Sequence, residues 1–102
     1  MTPAAFRQSL SKRRPPSGYT PALQALWWAE KDDWNAAHAV VMAHEEAACA
    51  WVHAHLHRVE GDLDNARYWY RQAGKRPATG APEAERKAMI AAMLERKPGG
   101  EG

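Results

Sequence analysis

All five histidines of this chain fall within twenty residues, at positions 38, 44, 53, 55 and 57. On a helix, Cys49, His53, His57 and Glu60 lie within about 80° of arc and form one polar stripe. The stripe contains an i, i+4 histidine pair, a spacing at which one helix can present two imidazoles to a zinc ion. His44 and His38 can approach from the neighbouring segment to complete the site, with His44, His53 and His57 as the metal set. Cys49 and Glu60 are three turns apart, so one ion cannot take both. The glutamate of a His-Glu-x-x-His motif is missing, and metalloprotease chemistry is therefore not supported.

A second arrangement of the same residues needs no metal. His38 lies between Trp34 and Val41 at helical spacing and can form one wall of a small cleft. His53 and His57 would stand opposite, with Arg58 and Glu60 completing the candidate binding set. A histidine placed there can act as a general base near neutral pH. Against both readings stands the plainer expectation that the stripe is structural or solvated, with no cofactor and zinc as the alternative. His55 shares a face with Ala48, Val52 and Val59 beside Trp51, which predicts a packed core histidine with a backbone partner. Cys49 sits in an Ala-rich helix whose N–H groups are already used, so no oxyanion hole adjoins it. It reads as a small buried hydrophobe, and no catalytic residue is assigned. A phosphate loop, a Ser/His/Asp arrangement and a dinucleotide fingerprint are all missing.

Cations and aromatics interleave from Arg67 to Arg71, but on a helix these side chains point in all directions and make no base-stacking platform. Ala66, Trp69, Tyr70 and Ala73 follow core spacing instead. Lys12, Arg13 and Arg14 give a basic arm too small for much phosphate affinity at physiological salt. The formal net charge of +2 over 102 residues agrees with a protein that does not bind nucleic acid. One cysteine excludes an intramolecular disulfide, and the N-terminus lacks the apolar segment of a secretory signal. Apolar stretches are broken every few residues by His, Glu or Lys, so none spans a bilayer. The expectation is a cytoplasmic protein.

The elements that must position these residues are helices. Between Pro21 and Pro77 there is no proline, and Gly61 is the one glycine between Gly18 and Gly74. Thr20-Pro21 is a helix start, and Asp32 and Asp62 read as the next two N-caps, each with Asn three residues on, at Asn35 and Asn65. Gly61 supplies the left-handed residue that ends the preceding helix. Helices follow near 20–31, 33–43, 45–60 and 62–74. A short helix is expected from Thr2-Pro3 through Arg13, within a basic arm over 1–19. The main domain covers 20–97 and ends in a capping helix over 82–97 with an apolar stripe of Met89, Ile90, Met93 and Leu94. Residues 98–102 read as a disordered tail.

Sliding the chain by 30 positions pairs Leu26 with Leu56, Glu30 with Glu60, Asp32 with Asp62, Asn35 with Asn65, Ala36 with Ala66 and Ala43 with Ala73. The unit is a helix, a tight turn and a second helix, repeated over 20–43 and 45–74. One such pair cannot bury both faces, so two must stack. Ala supplies 21 of the hydrophobic residues, against 12 for Val, Ile, Leu and Phe together. Ala36, Ala43, Ala66 and Ala73 are therefore placed at close helix contacts, with Trp27 or Trp28, Trp34, Trp51 and Trp69 filling the gaps.

The run Gly61-Asp62 with Asn65-Ala66, Tyr68-Trp69-Tyr70 and Ala73 resembles the turn and second helix of tetratricopeptide-type repeats. With Trp51-Val52-His53-Ala54-His55-Leu56-His57-Arg58-Val59-Glu60 ahead of it, the run resembles a family of short uncharacterised bacterial proteins. That resemblance covers about residues 22–76 and brings no activity with it. It implies an all-α fold of two stacked tetratricopeptide-like hairpins with flanking helices. The architecture leads to the expectation of a protein or peptide interaction module, with self-association through its apolar flank as an addition. A ligand-binding protein or enzyme using His38, His53 and His57 is the alternative.

Overall fold

Two Thr-Pro pairs open the first two helices of the computed structural model, which describes residues 2–95. Thr2 Oγ1 accepts from the Ala5 amide at 3.1 Å and starts α1, Pro3–Ser9; Thr20 Oγ1 accepts from Leu23 at 3.3 Å and starts α2, Pro21–Glu30. Each cap satisfies a donor the helix cannot, and each proline occupies a position where no N–H is needed. Four more helices follow: α3, Trp34–Met42; α4, Ala47–Glu60; α5, Leu63–Ala73; and α6, Pro82–Glu95. The fold is all-α, with no strand among the described residues. No helix there is long and apolar enough to cross a membrane.

α2 packs on α3 and α4 on α5 across short turns, and α4 also packs on α2 and α3. The two turns are built alike, but not in the expected register. The N-cap of α3 is Asp33, whose carboxylate accepts from the Ala36 amide at 3.0 Å. Asp32 is instead left-handed, with φ 65°, as is Gly61 with φ 92°. The amides of Asp33 and Asp62 each reach back five residues, to the carbonyls of Trp28 and His57 at 2.9 Å. The structural repeat therefore pairs Asp32 with Gly61 and Asp33 with Asp62, an offset of 29 rather than 30. Burial agrees with it: Ala25 with Ala54, Leu26 with His55, Trp27 with Leu56, Ala37 with Ala66 and Val41 with Tyr70 are all buried pairs. Ala37, not Ala36, makes the close contact in α3, while Ala43 is exposed and Ala73 half-buried.

The main core gathers on α2, where Ala25, Leu26 and Trp27 are fully buried. Trp27 Nε1 donates to Ser9 Oγ at 2.9 Å, a partner that a buried indole N–H requires. The N-terminal segment is thus part of the domain rather than a free arm: Phe6, Ser9 and Tyr19 are buried, and the Phe6 and Tyr19 rings stack at 6.0 Å. Its helix stops at Ser9, short of Arg13. α6 lies against α1, α2 and α4 through Met89, Ile90 and Met93, and so covers the face presented by the first helix of each pair. The expected continuation of α6 to residue 97 and the expected tail at 98–102 lie outside the described residues.

Of the five tryptophans, only Trp27 is fully buried. Trp28, Trp34, Trp51 and Trp69 are half-buried, and two of these stand beside the histidines.

Candidate functional site

α3 and α4 bring His38, His53 and His57 together. α4 presents His53 and His57 one turn apart, and α3 crosses opposite them with His38. His38 Nε2 lies 3.2 Å from His53 Nε2. The three rings pack with centroids 4.9 to 5.3 Å apart, and one ring nitrogen of each lies within 4.8 Å of the others. His53 and His57 are buried and His38 is half-buried.

Two indoles wall the cluster. Trp34 stacks on His38 at 4.6 Å and meets His57 edge-on, while Trp69, from α5, stacks on His53 at 4.0 Å. Trp34 is itself fixed, because its Nε1 donates to the Leu56 carbonyl at 2.7 Å. His57 Nδ1 donates to Glu60 Oε2 at 2.7 Å, which sets its tautomer and leaves Nε2 as the nitrogen with a free lone pair.

Two of the three imidazoles are shifted towards the uncharged form. Burial, then the neighbouring His57 and His38, push His53 down to about 4. His38 is lowered by burial and by His57, with Glu60 acting in the opposite direction. Both shifts favour a lone pair over a cation on His38 and His53.

The expected residues part company around this cluster. Glu60 joins it through His57. His44 does not: its side chain is exposed and its Nδ1 lies 3.8 Å from Glu46 Oε1. The nitrogen set is therefore His38, His53 and His57, not His44, His53 and His57. Arg58 turns away, because it follows His57 by 100° around α4 and meets α6. There it donates to Glu85 Oε1 at 3.0 Å and to the Gly80 carbonyl. Cys49 is buried in the main core, as expected of a small hydrophobe, and burial and Glu46 push its thiol up to about 11. Asp32, Asn35, Gly61, Asp62 and Asn65 all lie at or just after the turns. Asp62 accepts from the Asn65 amide at 3.3 Å, but Asn35 has no such Asp partner at position 32, where the chain is left-handed.

A cleft of about 470 Å³ opens between α3 and α5, with Ala50 and His53 of α4 among its lining. Val41, Met42, His44 and Glu45 line one side, and Tyr68, Trp69 and Gln72 the other. It touches the cluster at His53. Trp69, expected in the core, is thus a wall shared by cleft and cluster. Met42 and Tyr68 are among the large apolar side chains most open to solvent, at 63% and 45% exposure.

A second polar group was not anticipated. His55 is fully buried, but its partners are side chains, not backbone: Nδ1 donates to Glu85 Oε1 at 2.8 Å, and Arg86 donates to Nε2 at 3.3 Å. Tyr70 donates to Glu85 Oε2 at 2.5 Å. Burial would raise the Glu85 carboxyl, but hydrogen bonds from His55, Tyr70 and Arg58 outweigh it and hold it below its ordinary value. Three donors from two helices converge on this one carboxylate, so the group ties α6 to α4 and α5. The sequence offered no distinguishing signal: Glu85 is one of three acids on α6, with Glu83 and Glu95, and nothing local says that it turns inward.

Comparison of the chain with known protein families, with curated proteins and with solved structures finds no match.

Proposed function

We propose that the protein binds a small ligand at the cluster of His38, His53 and His57, on a cytoplasmic scaffold of two tetratricopeptide-like hairpins. The observation that carries this reading is the convergence of three imidazoles from two helices between two indoles. Burying polar rings against one another costs free energy unless each finds a partner. The cluster has one internal hydrogen bond and one to Glu60, fewer than three imidazoles can make. A core needing only bulk at these positions would do better with apolar side chains. Three imidazoles gathered at one place in an Ala-rich bundle are the arrangement of a site rather than of a core.

A protein or peptide partner is the second reading, supported by the exposed Met42 and Tyr68 on opposite sides of the α3–α5 cleft. The face that α2 and α4 share is less suited to a partner, since α6 lies on it.

The test is a titration of the full chain followed through the side-chain nitrogen resonances of its histidines. Zn(II), inorganic phosphate, bicarbonate and acetate serve as probes. Saturable shifts of His38, His53 and His57, with His44 unmoved, are the expected result. If no probe moves the three together, the ligand reading fails.

A further inference from the structure

The geometry points to the ligand class: we infer that His38, His53 and His57 hold one divalent first-row transition ion of the zinc type, with Glu60 orienting His57 from behind. The inference rests on the ligand-site reading above and narrows it.

Three observations meet here. The donors are all imidazole nitrogens, a set that suits zinc, copper or nickel and not magnesium or calcium, which take oxygen. Their spacing is right. Zinc–nitrogen bonds of about 2.0–2.1 Å at tetrahedral angles place ligand nitrogens about 3.4 Å apart. His38 and His53 already stand 3.2 Å apart, and all three nitrogens lie within 4.8 Å, so small side-chain rotations close the set. Both supporting helices are fixed, since α3 and α4 pack directly on each other and Trp34 bonds across them to Leu56.

The third observation is the carboxylate behind His57. A ligating histidine commonly donates its other N–H to a carboxylate, which fixes the ring and raises its basicity. Glu60 does this at 2.7 Å. Three protein ligands leave a fourth position for water or an exchangeable group, the pattern of zinc sites that act on something rather than merely staple a fold. His53 carries the set to the edge of the α3–α5 cleft, whose Tyr68, Trp69 and Gln72 would flank a molecule approaching it.

The experiment uses the full chain stripped with a chelator and titrated with Co(II), read by its visible absorption and by displacement with Zn(II). One equivalent is expected, with the absorption of a four-coordinate ion. His38→Ala should weaken binding at least tenfold, and so should His53→Ala. Glu60→Gln should weaken it by about 10- to 100-fold. His44→Ala should leave it unchanged. His38 is half-buried, so its variant stays informative if His53→Ala fails to fold by circular dichroism. Weak binding of several equivalents that His38→Ala does not alter would overturn the inference. If Co(II) and Zn(II) leave the three histidines unmoved while phosphate, bicarbonate or acetate shifts them, the metal falls and the ligand site stands. If none of these probes shifts them, both fall.

Discussion

His38 Nε2 and His53 Nε2 face each other at 3.2 Å across the α3–α4 interface, so one carries the shared proton and the other receives it. That bond exists only while at least one ring is uncharged. His53 is held at about 4, against an ordinary value of 6.5, first by burial and then by its histidine neighbours. A histidine lowered in the folded state weakens folding as acid is added, because the unfolded chain takes up a proton that the folded chain refuses. Stability from this source is complete above pH 6.5, falls from there towards pH 4 and changes no further below it. The loss is at most about 3 kcal/mol. Urea midpoints of the metal-free protein measured across that window should decline, and His53→Gln should flatten the slope. An unchanged slope in the variant would remove His53 as the cause.

Trp27 and Trp69 should separate by function. Truncating Trp27, fully buried and bonded to Ser9, should cost about 3–5 kcal/mol. Trp69 is half-buried and its main partner is the His53 ring, so Trp69→Ala should cost about 1–2 kcal/mol. It should also move the His53 ring resonances, which lose the indole stacked at 4.0 Å. Equal losses of stability, with His53 unmoved, would return Trp69 to the core.

The helices were legible because their punctuation is local. Thr-Pro starts, aspartate caps and a glycine stop depend on residues within one turn, and these placed the starts of α1, α2, α3 and α5 and the end of α4. The register was not legible to the same precision. Leu26/Leu56 and Asp32/Asp62 are identities of sequence at an offset of 30, whereas the matching backbone turns lie at 29. Asp32 has the residue type of a cap and the conformation of a glycine, and only φ distinguishes the two. The cluster was half legible for a similar reason. The i, i+4 spacing of His53 and His57 lies within one helix, but choosing His38 over His44 depends on how α3 crosses α4. Arg58 and Glu85 pair across 27 positions, beyond any local pattern.

The two aspartates of the first turn give a direct test of the register. Asp33→Ala removes the cap on the Ala36 amide and should cost about 1 kcal/mol. Asp32→Gly relieves a non-glycine residue of a left-handed backbone and should stabilise by up to about 1 kcal/mol. Thermal unfolding of the two variants should move in opposite directions. If Asp32→Gly destabilises as much as Asp33→Ala, Asp32 is the cap after all.

Glu85 should hold α6 in place more firmly than the methionines beside it. Its carboxylate takes His55, Arg58 and Tyr70 at once, and removing it leaves a half-buried arginine and a buried imidazole close together without an anion. Breaking a buried ion pair from one side typically costs about 3–5 kcal/mol, and Glu85→Ala should fall in that range. Glu85→Gln keeps a carbonyl acceptor and the shape, so it should lose less. Tyr70→Phe removes one donor and should cost about 1–2 kcal/mol. Because Glu85 is lowered in the folded state, its share of the stability is present above pH 4.5 and disappears as the pH falls further, a window below that of His53. Hydrogen exchange can locate the effect. In Glu85→Gln the amides of Met89, Ile90 and Met93 should exchange faster relative to those of α2, as α6 opens before the rest. A uniform increase over both helices would mean that Glu85 supports the whole fold and does not specifically hold α6.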